Sequence, residues 1–325
     1  MSEFISGASH DFIKVGRNRS VQIAIAFTVL GLTIYGLGGP QIPAIAEMVP
    51  EQISGEFVLM PQFLVLSLII YLITRNRTLP DFVARSPARD KAVQDLVIFG
   101  LYYFVAIIGL ASFGITYHPP DLLAEGVNFG AQDMINWMTI NFIFYGAIPY
   151  LFFRWRGSSN IDLGLAGNNW SLDIWPLLAI GGIDAFFAIT TRGFLSLTPS
   201  QMVSAVPLTL IMYGLGAGIP IVIMTQAIVA PRIMMLTNSP ITTVIVLTFT
   251  YAMFSSTDGG IVFESGGHAF YVILFWVTRN MGPGLVKAML TVRTGNSWLH
   301  MIAFHVVSFH IWADAPTVAF LFGLQ

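Results

Sequence analysis

With 55% of its 325 residues hydrophobic and only 10% charged, the chain has too few polar side chains to cover a water-facing surface, since soluble domains carry about 25% charged residues. A mean hydropathy of +0.73 points to a polytopic membrane protein. The formal charge of −2 argues against a nucleic-acid partner. The absence of cysteine excludes a disulfide framework, a thiolate metal site and a cysteine nucleophile.

The first twenty residues are polar and lack a basic region followed by a cleavable apolar stretch. The apolar run from Val21 is therefore expected to be a retained helix. Runs able to cross about 30 Å of hydrocarbon fall at 21–38, 56–74, 93–116, 134–153, 174–195, 202–224, 240–256, 266–279 and 296–312. The run from 202 onward contains Gly214, Gly216, Gly218 and Pro220. Either one helix crosses there, or a broken helix is followed by an interfacial one, so the count is eight or nine. Residues 313–325 are too short to span and are expected to lie on the outer surface.

Loop charge alternates along this order. Lys14, Arg17 and Arg19 precede the first run. Arg75, Arg77, Arg85, Arg89 and Lys91 stand between the second and third. Arg154 and Arg156 follow the fourth, Arg232 the sixth, and Arg279, Lys287 and Arg293 the eighth. The intervening loops carry Glu47 and Glu51, Asp121 and Glu125, and Asp258 and Glu264. Lysine and arginine mark the cytoplasmic side. The pattern predicts a cytoplasmic N-terminus and an external C-terminus in a membrane such as a bacterial inner membrane. No internal repeat supports an inverted-repeat transporter.

The loop 154–173 divides the chain into four N-terminal helices (1–153), a core (154–312) and a tail (313–325). From that loop onward the order of short motifs is distinctive. Leu163-Gly164-Leu165 lies in the basic linker, Pro231-Arg232 ends a helix, Ser239-Pro240 opens the next, and Arg293-Thr294-Gly295 precedes Trp298. In order and spacing residues 154–312 resemble the CAAX-protease and bacteriocin-processing family of intramembrane endopeptidases. The resemblance implies an all-α membrane bundle around a cavity. It also implies catalysis through a Glu-Glu-x-x-x-Arg motif, a Phe-x-x-x-His motif and a later His.

Anchored on Pro231, the two glutamate positions fall on Ile221 and Val222 and the arginine position on Gln226. Anchored on Pro240, the second motif falls on Tyr251 and Ser255. Anchored on Trp298, the last histidine falls on Phe304, or on His305 with a slip of one residue. None of the six glutamates lies in the first motif. Isoleucine and valine can neither accept a proton nor polarise water, and a fold persists without its chemistry. The leading expectation is a non-catalytic, pseudoprotease-like membrane protein. It would bind membrane lipid or other membrane subunits as an accessory component, and it requires no cofactor.

Other residues carry the rival readings. Glu264 and His268, four apart on one helix face, with His305 would serve a divergent metallo- or glutamic endopeptidase. With Asp258, His310 and Asp314 they form a candidate divalent-metal set; the commoner reading of such a group is a polar rim with capping side chains. His300, His305 and His310 recur every five residues. On an α-helix each step is about 500°, so they are not expected to share a face. Asp184, deep in a span, must face the bundle and marks the alternative of a transporter or channel.

Overall fold

The computed structural model describes residues 11, 13–38, 60–113, 129–191, 193–255, 266–306 and 309–324. The fold is all-helical, 81% helix with no strand among the described residues. Helix α1 spans Arg19–Gly38, α2 Met60–Thr74 and α3 Arg89–Ala111. Helix α4 (Ala131–Asn141) passes through a π-helical turn, Phe142–Ala147, into α5 (Ile148–Trp155). Then come α6 (Trp170–Thr191), α7 (Pro199–Thr237), α8 (Pro240–Phe254) and α9 (Gly266–Thr294). A short turn, Leu299–Met301, and a π segment, Ile302–Val306, lead to α10 (Phe309–Leu321).

Among the described residues three stretches are long and apolar enough to cross a membrane: Arg89–Leu110, Trp170–Thr190 and Pro199–Thr237. Shorter apolar helices cover Arg19–Ile34, Met60–Thr74 and Pro240–Phe254. Their threonines do not spoil them. Thr209, Thr225 and Thr248 each donate to the carbonyl four residues back, at 2.7, 2.8 and 2.8 Å, so their hydroxyls are satisfied within their own helix.

Two expected boundaries fail. The glycines at 214–218 do not break α7, which runs 39 residues. Its three glycines fall in one π-helical segment, Gly214–Gly218, and a second, Val222–Ala227, follows the turn that holds Pro220. A Cβ on Gly216 would lie 2.5 Å from the Trp137 ring and 3.0 Å from Met138 Cα. Glycine is there for close approach of α4, and not as a stop. At 1.5 Å per residue α7 is roughly 58 Å long, well beyond one hydrocarbon thickness. Likewise α9 does not end at Arg279 but continues to Thr294. Arg279 and Lys287 are therefore helix residues and not loop charges. Arg279 lies over the Trp276 ring at 4.4 Å.

The tail differs as well. Residues 313–321 continue α10, and Ala315 and Ala319 pack with Phe194 and Ala205. One apolar core joins both sides of the 153/154 division: Phe99, Tyr103, Tyr145 and Phe153 pack with Ile221, Val222, Tyr251 and Phe254.

Candidate functional site

Ile221 and Val222 sit where the second π segment of α7 begins, and both are fully buried. They share an apolar cluster with Tyr251 of α8. Gln226, one turn on, donates from Nε2 to Thr225 Oγ1 at 3.2 Å, while its buried Oε1 meets no donor among the described residues. Ser255 ends α8 with its hydroxyl buried and likewise without a hydrogen bond.

Tyr251 and Phe304 are brought together by a residue outside the motifs. The Lys287 ammonium lies 4.3 Å from the Tyr251 ring centre and 4.7 Å from that of Phe304. Lys287 is 4% exposed, and no carboxylate among the described residues pairs with it. Two aromatic faces around a desolvated ammonium contribute on the order of 2 kcal/mol. Lys287 also lies within electrostatic reach of His300, whose two ring nitrogens are buried without a hydrogen bond. Where the resemblance implies a carboxylate base, this site holds apolar side chains and a clamped cation.

A second group forms from the histidines. His305 and His310 stack with ring centres 4.6 Å apart and planes 3° apart. This overturns the expectation that residues five apart diverge. His305 lies in the π-helical segment Ile302–Val306, where the 3.6-residue spacing behind that expectation does not apply. His310 stacks in turn on Tyr213 at 5.3 Å and bonds through Nδ1 to Asp314 Oδ2 at 2.8 Å. Of the candidate metal set, His310 and Asp314 are therefore together. Asp258, Glu264 and the His268 side chain fall outside the described residues. Among the described residues no three His, Asp, Glu or Cys side chains form a metal-holding group. Asp184 is buried on α6, 7% exposed.

The motifs that carry the resemblance meet at one end of the bundle. Leu163-Gly164-Leu165 docks on the turn after α9. Ser297 N donates to Gly164 O at 3.0 Å, Ser297 Oγ to Leu163 O at 2.9 Å, and Trp298 Nε1 to Leu165 O at 3.0 Å. Gly164 has φ +66°, and a Cβ there would meet Ser297 Oγ at 2.7 Å and Gly295 O at 2.8 Å. Only glycine allows that contact. Ser239 caps α8 by accepting from Thr242 N at 3.2 Å, with Pro240 at the first helical position. Ser86 Oγ donates to the Pro231 carbonyl.

Buried charge ties this end together. Asp95 of α3 accepts from Arg232 Nε and Nη2 at 2.9 and 2.8 Å and from Arg156 Nε at 2.7 Å. Asp95 and Arg232 are each 1% exposed in their side chains. The guanidinium of Arg232 also lies 4.6 Å from the Phe153 ring centre and donates to Ser158 Oγ at 3.0 Å. Nearby, Asp173 joins Arg77 at 2.8 Å and Asn296 at 2.9 Å. Arg85 reaches Gly295 O at 2.9 Å, and Arg293 Nε reaches Thr74 Oγ1 at 2.9 Å. The basic loops after α2 and α5 thus share one end with Arg232 of α7 and Arg293 in the last turn of α9.

Sequence reasoning passed over Asp95 and Asp173 and read Lys287 only as a loop charge. The available signal was an ionisable side chain in or beside an apolar run, which lipid does not tolerate unless it turns inward. No protein-family model, no curated protein and no solved structure matches this chain.

Proposed function

We propose that the chain is an integral membrane protein of nine crossings with a cytoplasmic N-terminus. In this reading its second half keeps the frame of an intramembrane protease without the catalytic groups, and it acts by binding, as an accessory subunit of a membrane complex. One observation carries the proposal: the positions for the glutamate pair are fully buried Ile221 and Val222, with the Lys287 ammonium held between Tyr251 and Phe304. Water attack on an amide needs a positioned base and oxyanion stabilisation, and neither aliphatic side chain supplies them. The shared end of the basic loops favours the orientation, because cytoplasmic loops collect lysine and arginine.

The test is reconstitution of purified protein in lipid nanodiscs with prenylated and leader peptides. The expected result is no turnover above protein-free nanodiscs. Cleavage abolished by His305→Ala would overturn the proposal. It would favour the one rival with a specific observation behind it, a divergent peptidase built on the stacked His305 and His310 with Asp314.

A further inference from the structure

Helix α3 and the stretch Phe144–Arg156, which includes α5, run in opposite directions and meet at three points. Lys91 Nζ donates to Arg156 O, the Phe99 and Phe153 rings lie 6.2 Å apart, and Tyr102 donates to Phe144 O. At the basic end of this seam lies an open cleft of about 520 Å³ lined by Ala88, Asp90, Lys91, Gln94, Trp155 and Arg156. It adjoins a second hollow that adds Arg85, Ser158 and Asp162.

The charge around the cleft is unbalanced. Of the cations that line the two hollows, Arg85 and Lys91 pair with no carboxylate among the described residues, whereas Arg156 is already held by Asp95; Arg89 and Arg154, also without a carboxylate among the described residues, stand one position along the chain from the lining residues Ala88, Asp90 and Trp155. The carboxylates facing them are Asp90 and Asp162, and Asp162 is engaged by Ser159 N at 2.6 Å. Below the cleft both helices turn apolar side chains outward. Val97, Leu101 and Val105 of α3 are 57, 64 and 72% exposed. On α5, Ile148, Leu151 and Trp155 are 40, 61 and 80% exposed. Trp155 thus stands at the junction of the charged and apolar zones, where indole rings settle at a membrane interface.

A cationic cleft at the end of an apolar seam matches one kind of molecule, with an anionic head and hydrocarbon tails. We infer that α3 and α5 form a binding site for an anionic phospholipid. Its phosphate-bearing head sits among Arg85, Arg89, Lys91 and Arg154, and its acyl chains lie along Val97, Leu101, Val105, Ile148 and Leu151. The inference rests on the membrane reading and names a ligand class for the binding role. Electrostatic attraction supplies selectivity for the head, and the apolar seam retains the lipid over a free phosphate.

The experiment is native mass spectrometry of the detergent-solubilised protein titrated with phosphatidylglycerol, phosphatidylcholine of the same chains, and free glycerol 3-phosphate. Phosphatidylglycerol should bind at least tenfold tighter than phosphatidylcholine, and glycerol 3-phosphate should bind far more weakly than either. Each surface cation contributes about fivefold in affinity. The exposed pair Arg89→Gln with Arg154→Gln should therefore cut phosphatidylglycerol binding more than tenfold. Arg89→Lys with Arg154→Lys should retain it. Equal binding of the two lipids, or an unchanged preference in the glutamine variant, overturns the site. Binding of glycerol 3-phosphate as tight as that of the lipid overturns the role of the seam. Release of the protein from membranes by alkaline carbonate would instead sink the membrane reading itself.

Discussion

Replacing Asp95 by asparagine tests whether the buried charge cluster holds α3, α5 and α7 together. The substitution keeps the shape and removes the charge. Arg156 is 20% exposed and can recover water, but Arg232 is 1% exposed and cannot. It keeps its bonds to Ile228 O and Ser158 Oγ and loses its counter-charge. Breaking a buried pair from one side costs about 3–5 kcal/mol, most of it the stranded ion. At about 2 °C or more per kcal/mol for chains above 150 residues, the midpoint of thermal unfolding should fall by on the order of 10 °C. The double variant Asp95→Asn with Arg232→Gln removes both charges and should recover more than half of the loss. Thermal denaturation of the four proteins in one detergent gives the cycle. A fall of under about 2 °C for Asp95→Asn, or double-variant losses that simply add, would refute the reasoning.

Three further outcomes are expected. Gly164→Ala forces a Cβ into a left-handed backbone against Ser297 and Gly295 and should cost about 1–3 kcal/mol; Gly109→Ala, which meets nothing within 4 Å, should cost nothing in the same melting assay. Lys287→Met removes a buried charge while keeping most of the volume, so stability should hold or rise; a loss above about 2 kcal/mol would mean that the aromatic clamp outweighs the desolvation it offsets. A cysteine introduced at position 85 should resist an impermeant thiol reagent added outside intact cells, and one at 125 should react; the reverse pattern would invert the topology.

The sequence made the helices visible, because apolar runs of membrane length have few alternatives, and each of the nine runs coincides with helix in the described residues. The shared end of the basic groups was visible as well, in the alternation of Arg75–Lys91, Arg154–Arg156 and Arg232, although Arg232 lies within α7. What stayed hidden depends on partners distant in the chain or on backbone geometry. Asp95 and Arg232 are 137 residues apart, and neither announces the other. Arg279 and Lys287 looked like loop charges because an apolar window stops at a cation, yet both find aromatic faces that make an interior position tolerable. The stacking of His305 on His310 could not be read from a 3.6-residue period, because His305 lies in a π-helical segment.

The π segments of α7 also set a phase. Each widened turn holds one residue more than an α-turn would, so whatever follows is rotated by about 100° relative to an uninterrupted helix. Two such segments, Gly214–Gly218 and Val222–Ala227, lie between the stretch of α7 that meets α10 and Arg232, which meets Asp95. The two ends of α7 are thereby aimed independently. Deleting one residue within 214–227 would leave composition and hydropathy almost unchanged, yet it would swing Arg232 about a quarter-turn off Asp95. In this helix the length of the chain, as much as the identity of its residues, specifies which side chains face each other.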